Sequence, residues 1–470
     1  MSSFRRSLEQ VCFVVFLFIL VWAPLPFASN REWAGALLCL LVTAVSTTWL
    51  VLRVFTPVAI NRVVWARGKW ALLMLVLVQL WTFFQLIPLP LTVLAVMSPQ
   101  AEAWHIGQGL ATLSLDPVAT THYLLVGCTI TQGFFLALVL LNSHARVKTL
   151  LMVLVLSGVF QALYGAFMVL SGLEIGFFVE KYAGRGVATG TFVNRNHLAG
   201  YLVMCLAAGT GLLLSQLETS IESRWRDRLR GWLRFMLGPK MRLRIYLAVM
   251  VIALVLTRSR MGNVAFFVSL SIAGIVAVYA GRRFSARLVG LLASLFLIDM
   301  LILSRWFGLD RLMARFEQME GQPVEADARY WLDRFSWDYI GDFSLTGSGG
   351  GSFYGVFPSY QGPQLQGYYE HVHNDYLEFA TELGMPALLL LAVFVLFCLW
   401  QAIWVQRERM TPLYLGVGFA VTMSICWCLM HATADFNLQI PANAYTFVVI
   451  LAMAFVCRGL PSNKSPVPSL

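Results

Sequence analysis

Long apolar runs separated by short polar segments dominate this chain. Each run has roughly twenty residues, the length that a helix needs to cross a hydrocarbon core. We predict twelve spans, at 10–28, 33–55, 70–87, 120–141, 149–172, 196–216, 243–257, 262–280, 286–304, 384–404, 412–431 and 440–458. The pattern predicts an all-α integral membrane protein with one long polar loop between helices 9 and 10.

The polar loop divides the chain into three parts. Residues 1–304 hold helices 1–9, residues 305–383 form the loop, and residues 384–470 hold helices 10–12 and a short tail. Within the loop, the pattern of polar and apolar residues at 329–339 predicts an amphipathic helix near the membrane surface. The glycine-rich stretch 347–351 predicts a flexible link, and without a following Lys-Ser/Thr pair it is not a phosphate-binding loop.

Composition agrees with a membrane protein. Hydrophobic residues make up 59% of the 470 residues and charged residues only 12%, against about 25% charged residues in a soluble domain. All eight cysteines fall in apolar runs, so the sequence contains neither a disulfide framework nor a cysteine-based metal motif.

The basic residues predict the orientation of the spans. With the N-terminus in the cytoplasm, the inner segments hold 23 of the 34 lysines and arginines but only five of the 24 acidic residues. Because inner loops are enriched in basic residues, we expect both termini in the cytoplasm and the long loop in the periplasm of a bacterial inner membrane. The net charge of +10 therefore reports topology, and no nucleic-acid partner is expected. The basic segment 217–244 is typical of a helix lying on anionic membrane lipid.

The end of the long loop holds the strongest candidate for acid–base chemistry. Asp375 and Glu378 have the spacing of a capping box, which predicts a helix start directly after His373. The positive helix end disfavours an imidazolium, so His373 would stay neutral and able to accept a proton as a general base. The alternative is that His371 and His373 only hydrogen-bond the cap.

Four arginines lie at or beside external span ends: Arg185, Arg195, Arg258 and Arg260. Arginine at membrane depth usually faces a cavity or an anion, and its guanidinium suits the oxygens of a phosphate. The alternative is that these side chains extend to lipid headgroups. His431 and Asp435 flank the last external turn, and we expect them to form a hydrogen-bonded structural pair. We predict no metal site, with a cation held by His371, His373 and Asp375 as the alternative.

Five stretches resemble the O-antigen ligase and polymerase superfamily. They are QLIPLP at 85–90, TGTFVNRNHLA at 189–199, TRSR at 257–260, His373-Asn374 with nine residues before Gly384, and HATADFNLQIPANA at 431–444. In ligases of this family, one arginine before the glycine-rich element, one after the following hairpin and the loop histidine form the site. The resemblance therefore implies that Arg185 and Arg260 bind the donor diphosphate and that His373 is catalytic.

The other two candidate arginines and four polar residues are assigned weaker roles. Arg195 and Arg258 are further candidates for the diphosphate, and Asn194, Asn196, His371 and Asn374 are supporting residues. The Asn-Arg-Asn order at 194–196 departs from the usual Asn-Pro-Asn, which leaves open whether Arg195 shares the phosphate role.

The resemblance implies a membrane glycosyltransferase that uses an undecaprenyl-diphosphate-linked glycan without cofactor or metal. We predict a ligase that transfers the glycan to lipid A–core with inversion. Another glycan chain (polymerase) and a protein hydroxyl (oligosaccharyltransferase) are alternative acceptors. A polysaccharide or lipid transporter is the non-enzymatic alternative, but the sequence shows no internal repeat and almost no charge in the middle of a span.

Overall fold

The structure is a computed structural model that describes residues 2–55, 60–105, 109–181, 183–216, 239–280, 290 and 323–462. Ten long helices form a bundle: α1 (Ser2–Trp22), α2 (Glu32–Phe55), α3 (Arg62–Phe84), α6 (Pro117–Leu140), α7 (His144–Ser171), α8 (Arg195–Leu214), α9 (Pro239–Leu256), α10 (Arg260–Ala280), α14 (Met385–Glu408) and α15 (Pro412–His431). Within the described residues, α16 (Pro441–Gly459) is the eleventh helix of this bundle.

Five further helices of the described residues, four of them short, cover one end of this bundle. They are α4 (Leu91–Met97), α5 (Pro99–Trp104), α11 (Pro323–Phe343), α12 (Phe353–Val356) and α13 (Asp375–Leu383). Two short antiparallel strands, β1 (Leu89–Pro90) and β2 (Leu110–Ala111), lie beside α4 and α5. In the part of the chain that the structure describes, 3-10 turns occupy Phe27–Ser29, Phe357–Ser359 and Asn437–Gln439.

Helix starts follow local capping chemistry. The side chains of Asn61, Asp116 and Ser143 accept hydrogen bonds from backbone N–H groups in the first turns of α3, α6 and α7. Proline is the first residue of α15 and of α16, where the missing N–H has no intrahelical partner to lose. The sequence therefore defines most helix starts on its own.

The most buried of the candidate membrane-spanning helices are α8 and α16. Helices α8 and α15 approach closely at two glycines: a Cβ on Gly211 would lie 2.3 Å from the carbonyl oxygen of Gly416. Small residues at such crossings allow backbones to touch and pack in a membrane.

Contacts between loops define two ends of the bundle. At one end, which we call the site end, Thr191 donates to the Pro24 carbonyl at 2.6 Å and the Asp375 N–H donates to the Ala432 carbonyl at 2.9 Å. At the opposite end, Asn61 donates to the Gly459 carbonyl at 3.0 Å and Arg146 pairs with Glu9 at 2.9 Å.

Helices α4, α5, α11, α12 and α13 form a cap with its own apolar core at the site end. Leu94, Leu332, Phe343, Phe353 and Val372 are all buried in this second cluster. The predicted helix at 329–339 lies within α11 and is confirmed as a helix.

The expectation of a flexible glycine link is wrong. The N–H of Ser348 donates to the Thr381 carbonyl, and that of Gly349 to the Glu382 carbonyl, both at 3.0 Å. Gly347 has φ of +66°, and a Cβ there would lie 2.1 Å from the Glu382 carbonyl oxygen. Gly347 is required because its backbone packs directly on α13 in a left-handed conformation, not because the segment needs freedom.

Eleven of the twelve predicted spans lie on helices. The span at 286–304 and most of the basic segment 217–244 lie outside the described residues. Nine helices of the described part of the chain are long and apolar enough to cross a membrane. The molecule is thus a mostly helical, multi-pass membrane protein, while the count of twelve and the three-part division stay predictions.

Candidate functional site

The start of α13 differs by one residue from the predicted cap. Asn374, not Asp375, is the N-cap, and its side chain accepts from the N–H groups of Tyr376 and Leu377 at 3.1 and 3.4 Å. Glu378 therefore turns to the preceding loop, where it accepts from the Val372 N–H at 3.2 Å and contacts His371 Nδ1 at 2.5 Å. His373 remains just outside the helix, as predicted.

Three histidines surround the ring of Phe436. His371 stacks on it with ring centroids 4.0 Å apart, and His197 and His373 meet it edge-on at 4.7 and 4.9 Å. Side chains two residues apart in an extended segment lie on the same side, and both rings reach Phe436 here although His373 has a left-handed φ of +63°.

Asp435 lies between two of these imidazoles. Its Oδ1 is 3.5 Å from His197 Nε2 and 3.7 Å from His373 Nδ1. Burial acts to raise the pKa of Asp435, but the two imidazoles outweigh burial and hold the pKa well below its ordinary value. The carboxylate is 1% exposed while the His373 side chain is 31% exposed. The site therefore combines a buried, ionised carboxylate with an accessible imidazole.

The predicted pair of His431 with Asp435 is wrong in its partners. His431 Nδ1 is hydrogen-bonded to Asn437 Nδ2 at 2.9 Å, and the imidazole ring stacks on Trp427. Asp435 instead faces His197 and His373 because the 3-10 turn at Asn437–Gln439 places the amide, not the carboxylate, next to His431.

The buried polar contacts of this turn join three helices. Asn443 of α16 donates to the His197 carbonyl of α8 at 3.0 Å and to Asn437 Oδ1 at 2.8 Å. The Leu438 N–H donates to Asp375 Oδ2 of α13 at 3.2 Å. Helices α8, α13 and α16 therefore hold the histidines and Asp435 in one arrangement.

The structure places the four candidate arginines on two adjoining segments. The Ala188 N–H donates to the Leu256 carbonyl at 3.0 Å, which joins the loop of Arg185 to the turn of Arg258 and Arg260. Arg195 and Arg260 are the first residues of α8 and α10. Asn194 caps α8 by accepting from the Asn196 N–H at 2.8 Å.

All four guanidinium groups are exposed, but they differ in their partners. Arg185 donates to Glu180 at 2.6 Å and to the Lys181 carbonyl at 2.9 Å. Within the described part of the chain, no carboxylate forms an ion pair with Arg195, Arg258 or Arg260. Within the described residues, no hydrogen bond or ion pair joins these arginines to His373. The structure thus brings His371, His373 and Asn374 together, with the arginines on neighbouring segments of the same end.

Sequence reasoning missed the roles of His197, Asp333 and Phe436. His197 and Phe436 both lie in stretches that carried the family resemblance. The sequence therefore pointed to these residues but did not show which side chains they contact. Asp333 of α11 lies beside Asn374 and His373, and burial raises the pKa of its carboxyl group. Helix α11 therefore places a second carboxyl group near His373.

No group of three or more histidine, cysteine or acidic side chains in the described residues is arranged to hold a metal ion. The expectation of metal-independent chemistry stays a prediction.

Glu382 of α13 is a buried acid whose ionisation should make the stability of the fold depend on pH. Burial, with repulsion from Glu378, raises its pKa from 4.5 to about 8. A carboxyl group with a raised folded-state pKa stabilises the fold fully below pH 4.5, and that contribution is lost as the pH rises through about 8. We expect the thermal midpoint of the purified protein to fall as the pH rises from 4.5 to about 8 and to level off above that pH.

Replacing Glu382 by glutamine should flatten this pH dependence, because the amide cannot ionise. Glu408→Gln, at an exposed position of the opposite end, is the matched control and should keep the wild-type slope. Equal slopes for wild type and Glu382→Gln in thermal denaturation would contradict the assignment of this titration to Glu382.

The comparison with known families agrees with the class that the fold and site define. A multi-pass helical bundle with a polar, histidine-rich site at one end fits a membrane enzyme that acts at the membrane surface. A family model described as O-antigen ligase matches residues 245–392. Residues 245–392 are therefore similar to the O-antigen ligase family, which supports the resemblance to glycosyltransferases of the ligase or polymerase type.

The matched region contains Arg258, Arg260, His371, His373 and Asn374, whereas Arg185, Arg195 and Asp435 lie outside it. A search of curated proteins found no match.

Proposed function

We propose that this protein transfers a glycan from undecaprenyl diphosphate to a sugar hydroxyl of lipid A–core, at the periplasmic face of a bacterial inner membrane. The observation that supports this proposal is the accessible ring of His373 beside the buried, ionised Asp435. A histidine oriented by a carboxylate is suited to take a proton from a hydroxyl group.

In the proposed reaction, the acceptor hydroxyl oxygen forms a bond to the anomeric carbon and passes its proton to His373. The bond from that carbon to the diphosphate oxygen breaks, and undecaprenyl diphosphate leaves with the electron pair. Attack from the face opposite the leaving group inverts the anomeric centre. Neither a metal nor a cofactor takes part in these steps.

Two kinds of charge stabilise the transition state of this reaction. Asp435 favours the imidazolium that forms on His373, because the two lie 3.7 Å apart and the carboxylate is buried. Arginines at the same end stabilise the negative charge that develops on the leaving diphosphate. Arg185 and Arg260 are the first candidates, with Arg195 and Arg258 as neighbours.

The arginine assignment predicts large losses from small changes. Arg185→Lys and Arg260→Lys keep a positive charge but lose the planar pair of donors, so transfer should fall at least about tenfold in each. The measurement is a transfer assay with purified protein, lipid-linked donor and acceptor.

Glu180→Gln is the matched control for Arg185. It removes the carboxylate partner of Arg185 but leaves the guanidinium, so activity should persist if Arg185 serves the donor. Full activity of both lysine variants would mean that simple charge or contact with headgroups explains these arginines.

The orientation of the site is tested independently of activity. Reporter fusions near residues 230 and 345 should report cytoplasm and periplasm respectively, because basic residues concentrate around the first position. The same compartment for both fusions would contradict the periplasmic site.

Glycan analysis after gene deletion tests the ligase reaction against its alternatives. Loss of all long chains from lipid A–core, with polymer retained on the carrier lipid, supports a ligase. Single-repeat chains indicate a polymerase, and loss of glycan from protein indicates an oligosaccharyltransferase. Lack of transfer by purified protein, with impaired passage of glycan across the membrane, would indicate a transporter.

A further inference from the structure

An unusual group of cations lies at the end of the bundle opposite the proposed active site. The guanidinium carbons of Arg458 and Arg67 lie 3.9 and 5.9 Å from the centroid of the same indole ring, that of Trp404. The three residues come from α16, α3 and α14. One aromatic ring thus holds two positive charges from separate helices.

Arg458 is enclosed but incompletely bonded. The residue is 7% exposed, and one of its terminal nitrogens donates to Gln401 Oε1 at 2.5 Å. Its Nε is buried without a hydrogen-bond partner. Because an enclosed guanidinium keeps its charge and its donors, an unused Nε leaves capacity for an acceptor.

Neither arginine has an acidic partner in the part of the chain that the structure describes. Two like charges on one ring repel each other, and a neutral glutamine offsets this repulsion poorly. An anion located between α3 and α14 would balance both charges.

The helix faces that lead to these arginines are apolar and exposed. On α3 they include Trp70, Leu73 and Leu77, and on α14 they include Val393, Leu396 and Trp400. Lys69 lies over the ring of Trp70 at 5.1 Å. Tryptophan and basic residues beside exposed apolar helix faces are typical of the boundary between headgroups and acyl chains.

We propose that an anionic phospholipid binds between α3 and α14 at this end. Its phosphate would accept hydrogen bonds from Arg67 and Arg458, and its acyl chains would lie along the apolar faces of the two helices. Basic pockets between transmembrane helices at the inner face bind anionic headgroups in this way. Inorganic phosphate shares the headgroup chemistry but has no chains to occupy the apolar faces.

Lipid retention by the full-length protein tests the proposal. Detergent-purified protein is titrated with dioleoyl phosphatidylglycerol, dioleoyl phosphatidylcholine or inorganic phosphate, and bound lipid is counted by native mass spectrometry. Arg67→Gln and Arg458→Gln should each weaken phosphatidylglycerol binding by about fivefold or more, with phosphatidylcholine binding unchanged. Arg62→Gln, an exposed position on the same helix, is the matched control and should bind as wild type.

If Arg458→Gln does not fold, Arg67→Gln decides the outcome. Arg67 forms no hydrogen bond with other described residues, so this substitution removes none from the fold. Unchanged phosphatidylglycerol binding in Arg67→Gln would overturn the site, as would equal weakening in Arg62→Gln. Displacement of the lipid by an equal concentration of inorganic phosphate would overturn the lipid as occupant and indicate a free anion.

Discussion

His373→Ala should reduce glycan transfer by about 10²–10⁴-fold while leaving donor binding nearly unchanged. The acceptor hydroxyl would have no group to take its proton, whereas the arginines that hold the diphosphate would remain. Because His373 is 31% exposed and lies outside α13, the variant should fold and insert as wild type does.

The measurement is a transfer assay with purified protein, accompanied by a separate donor-binding assay. His122→Ala, on an exposed face of α6 at the same end, is the control and should keep full activity. His371→Ala is a poor control, because it would leave the buried Glu378 carboxylate without its partner and reduce the amount of folded protein. An active His373→Ala with an inactive Asp333→Asn would move the general base to the carboxyl group of α11.

Asp435→Asn should reduce transfer by about 10–100-fold at unchanged donor affinity. The asparagine keeps the shape of the side chain but removes the charge that orients His373 and stabilises its protonated form. Asp435 touches no substrate in this proposal, so it acts as a positioning residue through His373.

A pH–rate profile separates this role from a structural one. A residue that only supports the fold would lower activity equally at every pH, whereas loss of the Asp435 charge should change the pH dependence of kcat/KM. Asp338→Asn removes an exposed carboxylate of α11 that pairs with Arg334 and should leave the profile intact. A profile for Asp435→Asn that is reduced in height but identical in shape would contradict the positioning role.

The membrane spans and the helix starts follow directly from the sequence. Apolar runs of about twenty residues indicate membrane-spanning helices, because backbone groups in hydrocarbon must form their hydrogen bonds within a helix. Local residues such as Asn61, Asp116 and Pro441 define helix starts, and this information acts over a few residues only. The start of α13 was predicted to within one residue on the same grounds.

The assembly of the site depended on tertiary structure. Phe436 and Asp435 reach His197 and His373 only because the α15–α16 turn packs on the starts of α8 and α13, through bonds that join residues far apart in sequence. No local pattern reports such a contact. The buried glycine turn at 347–351 also differs from the flexible link that its composition predicts, since close packing on α13, not local preference, determines its conformation.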